Sequence, residues 1–423
     1  MSTSRDATKP AKRRFSRSFT QQEPIPEAAI LRAVEIMRSG RLHRYNVTEG
    51  ELSEAALLER DFAAYQGSRY CVACTSGGNA LHVALRSAGL RPGEKVLANA
   101  YTLAPVPGAI HNAGGVPVFV EIDRAYHIDL DDLAAKARTS GARFLLLSHM
   151  RGHIADMAAI ADLCARFGII LIEDCAHTMG ARWQGIRSGN FGKVACFSTQ
   201  TYKHVNSGEG GLITTDDAEL AARAIIHSGS YMLYQRHGAA PDEAVFQEVR
   251  LATPNYSGRI DNLRAALIRT QLEDLDHQIA RWNRRYNLLE AGFSAVDGLV
   301  LPRRDPKETF VGSSIQFRAE GLMPDEIPEL VARCAARGVE LKWFGDPEPK
   351  AFTSRYDSWR YIADLPDLPQ TLAVLSKTLD MRVPLTIDED DCRLITEIVG
   401  EEMADLCPNR MTRSGDAEDG PPQ

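Results

Sequence analysis

Three stretches of the sequence carry residue types that do chemistry only in particular surroundings. Thr75 to Leu81 reads TSGGNAL and runs from a strand end into a helix start. Such a junction aims free backbone N–H groups and the positive end of a helix dipole at one spot, and Gly77 and Gly78 let an anion approach the backbone closely. It suits a phosphate. Glycine-rich strand-to-helix turns also occur for purely steric reasons. The stretch is neither the dinucleotide-binding GxGxxG pattern nor a P-loop, so a dinucleotide fold or a P-loop ATPase is not supported.

Gly168 to Asp174, GIILIED, puts two acids where a buried parallel strand emerges at its C-terminal edge, the edge at which open α/β sheets bind ligands. One of these carboxylates is expected to be functional. A carboxylate facing a pyridine nitrogen keeps that nitrogen protonated and preserves the ring as an electron sink. A magnesium ligand is the rival chemistry and lacks support without a P-loop; a helix cap or surface acid is the plain alternative. Downstream, the strand Val194 to Ser198 leads to Lys203 and then to SGEGG at 207–211. A Schiff-base lysine needs that setting: partly desolvated, so that its amine deprotonates, yet tethered so that it can alternate between carbonyl attack and proton transfer. A lone lysine is ordinarily solvated surface. The phosphate turn, strand-end acid and loop lysine, in that order, point to a pyridoxal-phosphate (PLP) enzyme with Lys203 as the Schiff-base lysine.

The elements that must position these residues alternate helical periodicity with short apolar runs, which is α/β rhythm. Strands are predicted at Val72 to Thr75, Lys95 to Ala98, Pro117 to Val120, Phe144 to Ser148, Ile169 to Ile172, Val194 to Ser198 and Gly211 to Thr214. Helices fall between them at Gly78 to Ser87, Leu103 to Asn112, Leu130 to Thr139 and Met157 to Phe167, with another from Ala218 to Ile226. One long helix from Ile260, prolonged by Trp282 to Leu289, is expected to bridge two domains. Beyond it, strands Ser314 to Arg318 and Val339 to Lys342 mix with helices Ile327 to Arg337 and Asp388 to Met403. The resulting division is a disordered tail over 1–18, a large PLP-binding domain over 19–275, a linking helix and small α+β C-terminal domain over 276–407, and a second tail over 408–423.

Composition excludes several other function classes. With 44% hydrophobic and 25% charged residues the chain is globular, and a net charge of -7 gives no basic field for nucleic acid. Apolar runs such as Phe144 to Leu147 fall far short of the ~20 residues of a membrane helix. No secretory signal is visible, and the eight scattered cysteines suit reduced thiols, so a cytoplasmic enzyme is expected. Cys71 and Cys74 form a CxxC without a second pair at zinc spacing; no metal is expected, and both are taken to pack in or beside a strand.

From about Gly40 to Cys407 the chain resembles the DegT/DnrJ/EryC1/StrS (sugar) aminotransferases, PLP enzymes of fold type I. The resemblance rests on SGGNALHVAL at 76–85, ADMAAIADLCARFGIILIEDCAHTMGA at 155–181, FSTQTYKHVNSGEGG at 197–211 and GRIDNLRAALIRTQLEDLD at 258–276. It implies a large domain around a mostly parallel, seven-stranded type of sheet flanked by helices, a smaller α+β domain, and a homodimer with a shared active site. It also implies that Lys203 holds the cofactor, Asp174 pairs with the pyridine nitrogen, and His177 stands beside the ring oxygen. Ser198, Gly77, Gly78 and Asn79 would bind the phosphate. The implied reaction carries an amino group from a donor such as glutamate or glutamine, through pyridoxamine phosphate, to a ketone on a sugar, cyclitol or related polyol. A dehydratase on the same scaffold, or a relative without turnover, is the alternative; family dehydratases tend to replace the lysine that this chain keeps as Lys203.

The sequence departs from the family pattern at three places. Where members stack an aromatic ring on PLP, this chain has Ala100 to Leu103, leaving Leu103 or a shifted Tyr101 for that role. The partner-subunit asparagine position holds Ser257, with Asn255 two residues upstream, and either is a candidate to reach the phosphate across a dimer interface. In the small domain the usual histidine segment is replaced by ELKWFG at 340–345. Trp343, Phe344 and Arg355, together with Arg44, are therefore expected to form the acceptor pocket, aromatic faces suiting a sugar ring and arginine forks suiting phosphate or carboxylate. The alternative places Trp343 and Trp359 in the core and pairs the arginines with acids such as Asp346 and Asp357.

Overall fold

The structure, a computed structural model, describes residues 12–407. The strands of the large domain follow the predicted rhythm: β1 Tyr70–Cys74, β2 Lys95–Asn99, β3 Val116–Val120, β4 Phe144–Ser148 and β5 Ile170–Asp174, then a small hairpin of β6 Arg182–Trp183 and β7 Ile186–Arg187, then β8 Val194–Ser198 and β9 Gly211–Thr215. Seven of them form one sheet in the order β1-β9-β8-β5-β4-β2-β3. Within it β9 runs against the rest, and the others are parallel. β4 and β8 are buried at every position, as continuous apolar strands covered on both faces must be.

The covering helices start on side-chain caps. Ser76, Asp129, Asp156 and Asp217 each accept the amide three residues on, opening Gly77–Ser87, Leu130–Thr139, Met157–Phe167 and Ala218–Ser228. The second helix begins at Pro105 rather than Leu103, with proline as its first residue. The single long helix expected from Ile260 is two, Asn262–Leu272 and Leu275–Ser294. Leu272 and Leu275 are both buried across the break, so the chain bends to follow the core.

The small domain is built on β10 Leu299–Val300, β12 Ser314–Ala319, β13 Lys342–Trp343 and β14 Thr378–Arg382, antiparallel in the order β10-β12-β14-β13. β11, Glu308–Thr309, leaves it to pair with β6. The strand expected over Val339 to Lys342 is confined to Lys342–Trp343, the residues that reach β14, while Val339 and Leu341 are buried as a connection.

The N-terminal boundary needs correction. Residues 12–18 dock on the small domain: Phe15 and Phe19 are buried there, Phe15 N donates to Arg337 O at 2.8 Å, and Lys12 and Arg17 pair with Glu402 and Asp388. Two phenylalanines four residues apart anchor a stretch whose polarity suggested a tail. The rest of the expected tails, 1–11 and 408–423, lies outside the described residues.

Candidate active site

β5 and β8 are neighbours in the sheet, so their C-terminal ends and the loops after them share one edge, with Asp174 opposite Cys196 in register. At this edge lies a cavity of about 430 Å³, closed on the other side by residues 349–359. Ser76, Gly77, Gly78, Asp174, His177, Ser198 and Lys203 all line it. The three separate sequence stretches therefore meet.

The turn into the first covering helix is tightly packed. Ser76 Oγ accepts the Asn79 amide at 3.1 Å, which leaves the Gly77 and Gly78 amides without intrahelical acceptors. A Cβ on Gly77 would stand 2.7 Å from Ser198 Cβ, so glycine is required for the turn to lie against the end of β8. Asn79 faces a neighbouring pocket of about 560 Å³ that shares Gly78 and includes Tyr256; its Oδ1 is buried without a partner among the described residues.

Glu173 and Asp174 are adjacent on β5 and point to opposite faces. Asp174 lines the cavity, with Oδ2 accepting from Ser148 Oγ at 2.9 Å and Oδ1 from the Ala176 amide at 3.1 Å. Glu173 is fully buried on the far side, where its oxygens accept the amides of Gly189, Phe191 and Gly192 and contact His149 Nε2 at 3.0 Å. Glu173, His149 and Cys175 bring ligand-type atoms within 4.8 Å of one another. The Glu173 oxygens are already taken up by amides, however, and burial pushes the Cys175 thiol well up, so this cluster knots the strand end.

Lys203 Nζ lies 2.8 Å from His177 Nε2. Burial lowers the amine to about 7, helped by the charges of Arg151 and Arg382 and opposed by Asp174. His177 is pushed well below the usual histidine range, first by burial and then by the neighbouring cations, Lys203 foremost, so its ring is neutral. The Arg151 amide is 3.4 Å from Nδ1. With Nδ1 accepting, the imidazole proton sits on Nε2 and is donated to the lysine nitrogen, which accepts when deprotonated.

A model of the DegT/DnrJ/EryC1/StrS aminotransferase family matches residues 26–399. The chain belongs to this family. Among its relatives, the 3-amino-5-hydroxybenzoate synthase of Amycolatopsis mediterranei (strain S699) is 33% identical over 68% of this chain and 72% of its own. The L-glutamine:2-deoxy-scyllo-inosose aminotransferase of Streptomyces lividus is 32% identical over 69% of this chain and 67% of its own. The crystal structure of 3-amino-5-hydroxybenzoic acid synthase superposes with a TM-score of 0.78 at 28% identity, covering 91% of this chain and 98% of that one. The fold is that of the PLP-dependent aminotransferases, and the chain is an enzyme of this class.

Several residues expected at the site from the departures in the sequence lie elsewhere. Leu103 lines the cavity, but Tyr101 does not; its ring is buried 5.5 Å from Tyr126 and 5.0 Å from Phe344. Phe344 is likewise fully buried in that cluster, and Trp343 packs on the small-domain core with Nε1 donating to Ser376 O at 2.8 Å. Arg355 closes its fork on Asp357 at 2.9 and 2.6 Å. Arg44 is fully buried and paired with Glu59 at 2.8 Å, beside His237. None of these five lines the cavity; core packing and nearby acids claim them. Asn255 and Ser257 are exposed and do not line the cavity of their own chain. Cys71 and Cys74 are buried in β1, and burial raises the Cys74 thiol to about 12.

The small-domain wall is made instead by Phe352, Ser354 and Trp359, and Met150 lines the cavity just beyond β4. The strand-end rule that singled out Glu173 and Asp174 also applies to β4. Applied there it leads to Ser148, Met150 and Arg151.

Proposed function

We propose that this aminotransferase transfers the amino group of an amino-acid donor, glutamate or glutamine, to a keto group on a sugar, cyclitol or related polyol, with Lys203 holding PLP. The observation that carries the reading is the contact of Lys203 Nζ with His177 Nε2, facing Asp174 across one cavity. The residues present fit PLP. The Gly77 and Gly78 amides and the Ser198 hydroxyl offer donors to a phosphate, Gly77 leaves no room for a side chain there, and Asp174 supplies the carboxylate for a pyridinium. Bound PLP supplies a carbonyl that takes up amines and a ring that accepts the electrons released when a substrate C–H bond breaks.

Lys203, whose amine loses its proton around neutral pH, is able to take a proton from the substrate carbon and return it elsewhere. Asp174, fixed by Ser148 and the Ala176 amide, holds negative charge at the strand end. His177 keeps a single tautomer through the Arg151 amide and orients a donor N–H beside the lysine. Leu103 gives an apolar face where members of the family carry an aromatic.

The substrate class follows relatives whose names carry 2-deoxy-scyllo-inosose with L-glutamine in one case and a dTDP-linked amino-trideoxy-glucose in the other. A homodimer agrees with the exposed Tyr231, Met232, Leu251 and Tyr256, the last sharing a pocket with Gly78 and Asn79, and with Asn79 Oδ1, which has no partner among the described residues. Asn255 or Ser257 of a second subunit would then approach the cofactor phosphate. A cytoplasmic enzyme agrees with the buried free cysteines among the described residues.

Two measurements on the purified holoenzyme test this. Borohydride should fix a pyridoxyl group on Lys203, and Lys203→Ala should abolish the fixation and slow turnover by at least about 10³-fold. Glutamate or glutamine should convert PLP to pyridoxamine phosphate in a single turnover, and a keto-sugar or keto-cyclitol should reverse it. A label on another lysine, or no conversion by any amino acid, would sink the reading.

A further inference from the structure

Two arginines stand behind the small-domain wall of the cavity. Arg151 lies three residues past β4 in left-handed backbone, φ 56° and ψ 22°, a conformation that costs energy for a residue with a side chain. Its amide is the one beside His177, so it is tied to the group that contacts Lys203. The side chain is buried. One guanidinium nitrogen reaches Asp380 Oδ2 at 2.8 Å, while Nε has no partner among the described residues. Arg382 ends β14, is half-buried, and its Nε is equally unpartnered. Its guanidinium makes no ion pair among the described residues; it rests over Tyr202 at 3.9 Å and over Phe352 at 5.0 Å. Arg151 lies over the same Phe352 ring at 4.4 Å, and that ring lines the cavity.

Close ion pairs do not cover all the cations here. Asp380 engages Arg151 with one oxygen, and its other oxygen accepts from Gln316 Nε2 at 2.7 Å. Glu340 acts on Arg382 without forming an ion pair, and the exposed Glu209 lines the cavity. The contrast with Arg44 is direct, because that buried arginine has Glu59 to itself and His237 alongside. A half-buried guanidinium whose close neighbours are aromatic faces keeps N–H groups able to take up an anion.

We propose that Arg151 and Arg382 form a carboxylate-recognising subsite adjoining the substrate cavity, behind the Phe352 ring that lines it and on which both guanidiniums pack. Each arginine offers unused N–H groups, which suits the two oxygens of a carboxylate. The subsite rests on the aminotransferase reading only for the source of that carboxylate, which is the donor amino acid or an acid group on the acceptor. The two sources are separable because the half-reactions are run one at a time.

Glutarate, a dicarboxylate with no amine to transfer, serves as the probe and is titrated calorimetrically into the PLP-loaded enzyme. Arg151→Met and Arg382→Met are each expected to weaken glutarate binding roughly 10- to 100-fold, and Arg382→Lys, which keeps the charge and loses the fork, by an intermediate factor. KM should rise with kcat largely kept in one half-reaction: the glutamate half if the donor brings the carboxylate, the acceptor half if the acceptor does. Phe352→Leu, which keeps an apolar side chain under both guanidiniums, should lose clearly less glutarate affinity than either methionine variant. The subsite is overturned if both methionine variants leave glutarate affinity and both KM values within twofold, or if Phe352→Leu reproduces their full loss, which would make the arginines mere supports for the ring. Should Arg382→Met fail to fold, Arg382→Lys carries the same comparison. Glutarate binding does not depend on turnover, so an enzyme that binds it through these arginines yet transfers no amine would refute the aminotransferase reading and leave the subsite standing.

Discussion

On one side of the cavity, Asp174, His177, Ser198 and Lys203 sit at strand ends or in the loops directly after them. Ladders to both neighbouring strands fix where β5 and β8 emerge. On the other side, Phe352 and Ser354 belong to a short turn in which Lys350 and Thr353 exchange backbone bonds and Ala351 takes a φ of 54°. The first wall is set by the sheet, and a displaced strand would disturb the whole core. The second is set by a local turn and by the two arginines packed on Phe352. Under the proposed function, the chemistry that every turnover needs falls to the rigid wall, and contact with the variable part of the substrate falls to the adjustable one.

The sharpest way to break this comparison is at Asp174. Asp174→Asn should leave PLP bound and slow the donor half-reaction by about 10²- to 10³-fold. It should also move the Lys203 amine further below its present value of about 7, because Asp174 is the charge that holds it up. The pH dependence of reductive methylation of Lys203 in cofactor-free enzyme reads that shift. Glu173→Gln, one residue away on the opposite face, should lower the melting temperature with much less effect on the chemical step. A normal single-turnover rate in Asp174→Asn would move the pyridine partner elsewhere.

Gly77→Ala comes next. The added methyl meets Ser198 Cβ at 2.7 Å, and overpacking of that kind costs about 1–3 kcal/mol. We expect PLP to bind roughly 5- to 150-fold more weakly, measured by equilibrium dialysis, with near-normal rates at saturating cofactor. Unchanged affinity would show that the turn relaxes away from the phosphate. The smallest effect belongs to Arg355→Ala. Its fork is spent on Asp357, so both half-reactions should stay within about twofold and stability should fall by at most about 1 kcal/mol. A selective loss of acceptor amination in this variant would return the residue to the pocket.

Much of the large domain was legible because its signals are local. Leu130–Thr139, Phe144–Ser148, Met157–Phe167 and Val194–Ser198 begin and end where apolar period, caps and glycines say they should. Thr378–Arg382 went unread although it pairs with both neighbours at the centre of the small sheet. Its sequence, TLDMR, alternates in charge as much as in hydrophobicity, because Asp380 is buried on Arg151 and Gln316. The helices Glu27–Ser39 and Glu54–Gln66 escaped for a related reason, as Arg32 and Arg269 satisfy the buried Glu54 from outside its helix.

The sequence by itself determined the order of phosphate turn, strand-end acid and loop lysine. Each of these depends on a few consecutive residues that end one element and begin another, and the α/β rhythm brings such ends to one edge. Only the tertiary structure decided which of two adjacent acids faces the cavity, since alternation along a strand says that Glu173 and Asp174 point apart but not which side is open. Only the tertiary structure decided, too, which arginines are spent. Arg355 has its acid two residues away, whereas the acid of Arg151 is Asp380, 229 residues along the chain, and Arg382 has none among the described residues. Whether a guanidinium is left free for a ligand depends on what lies across the domain junction, and folding alone brings those groups together.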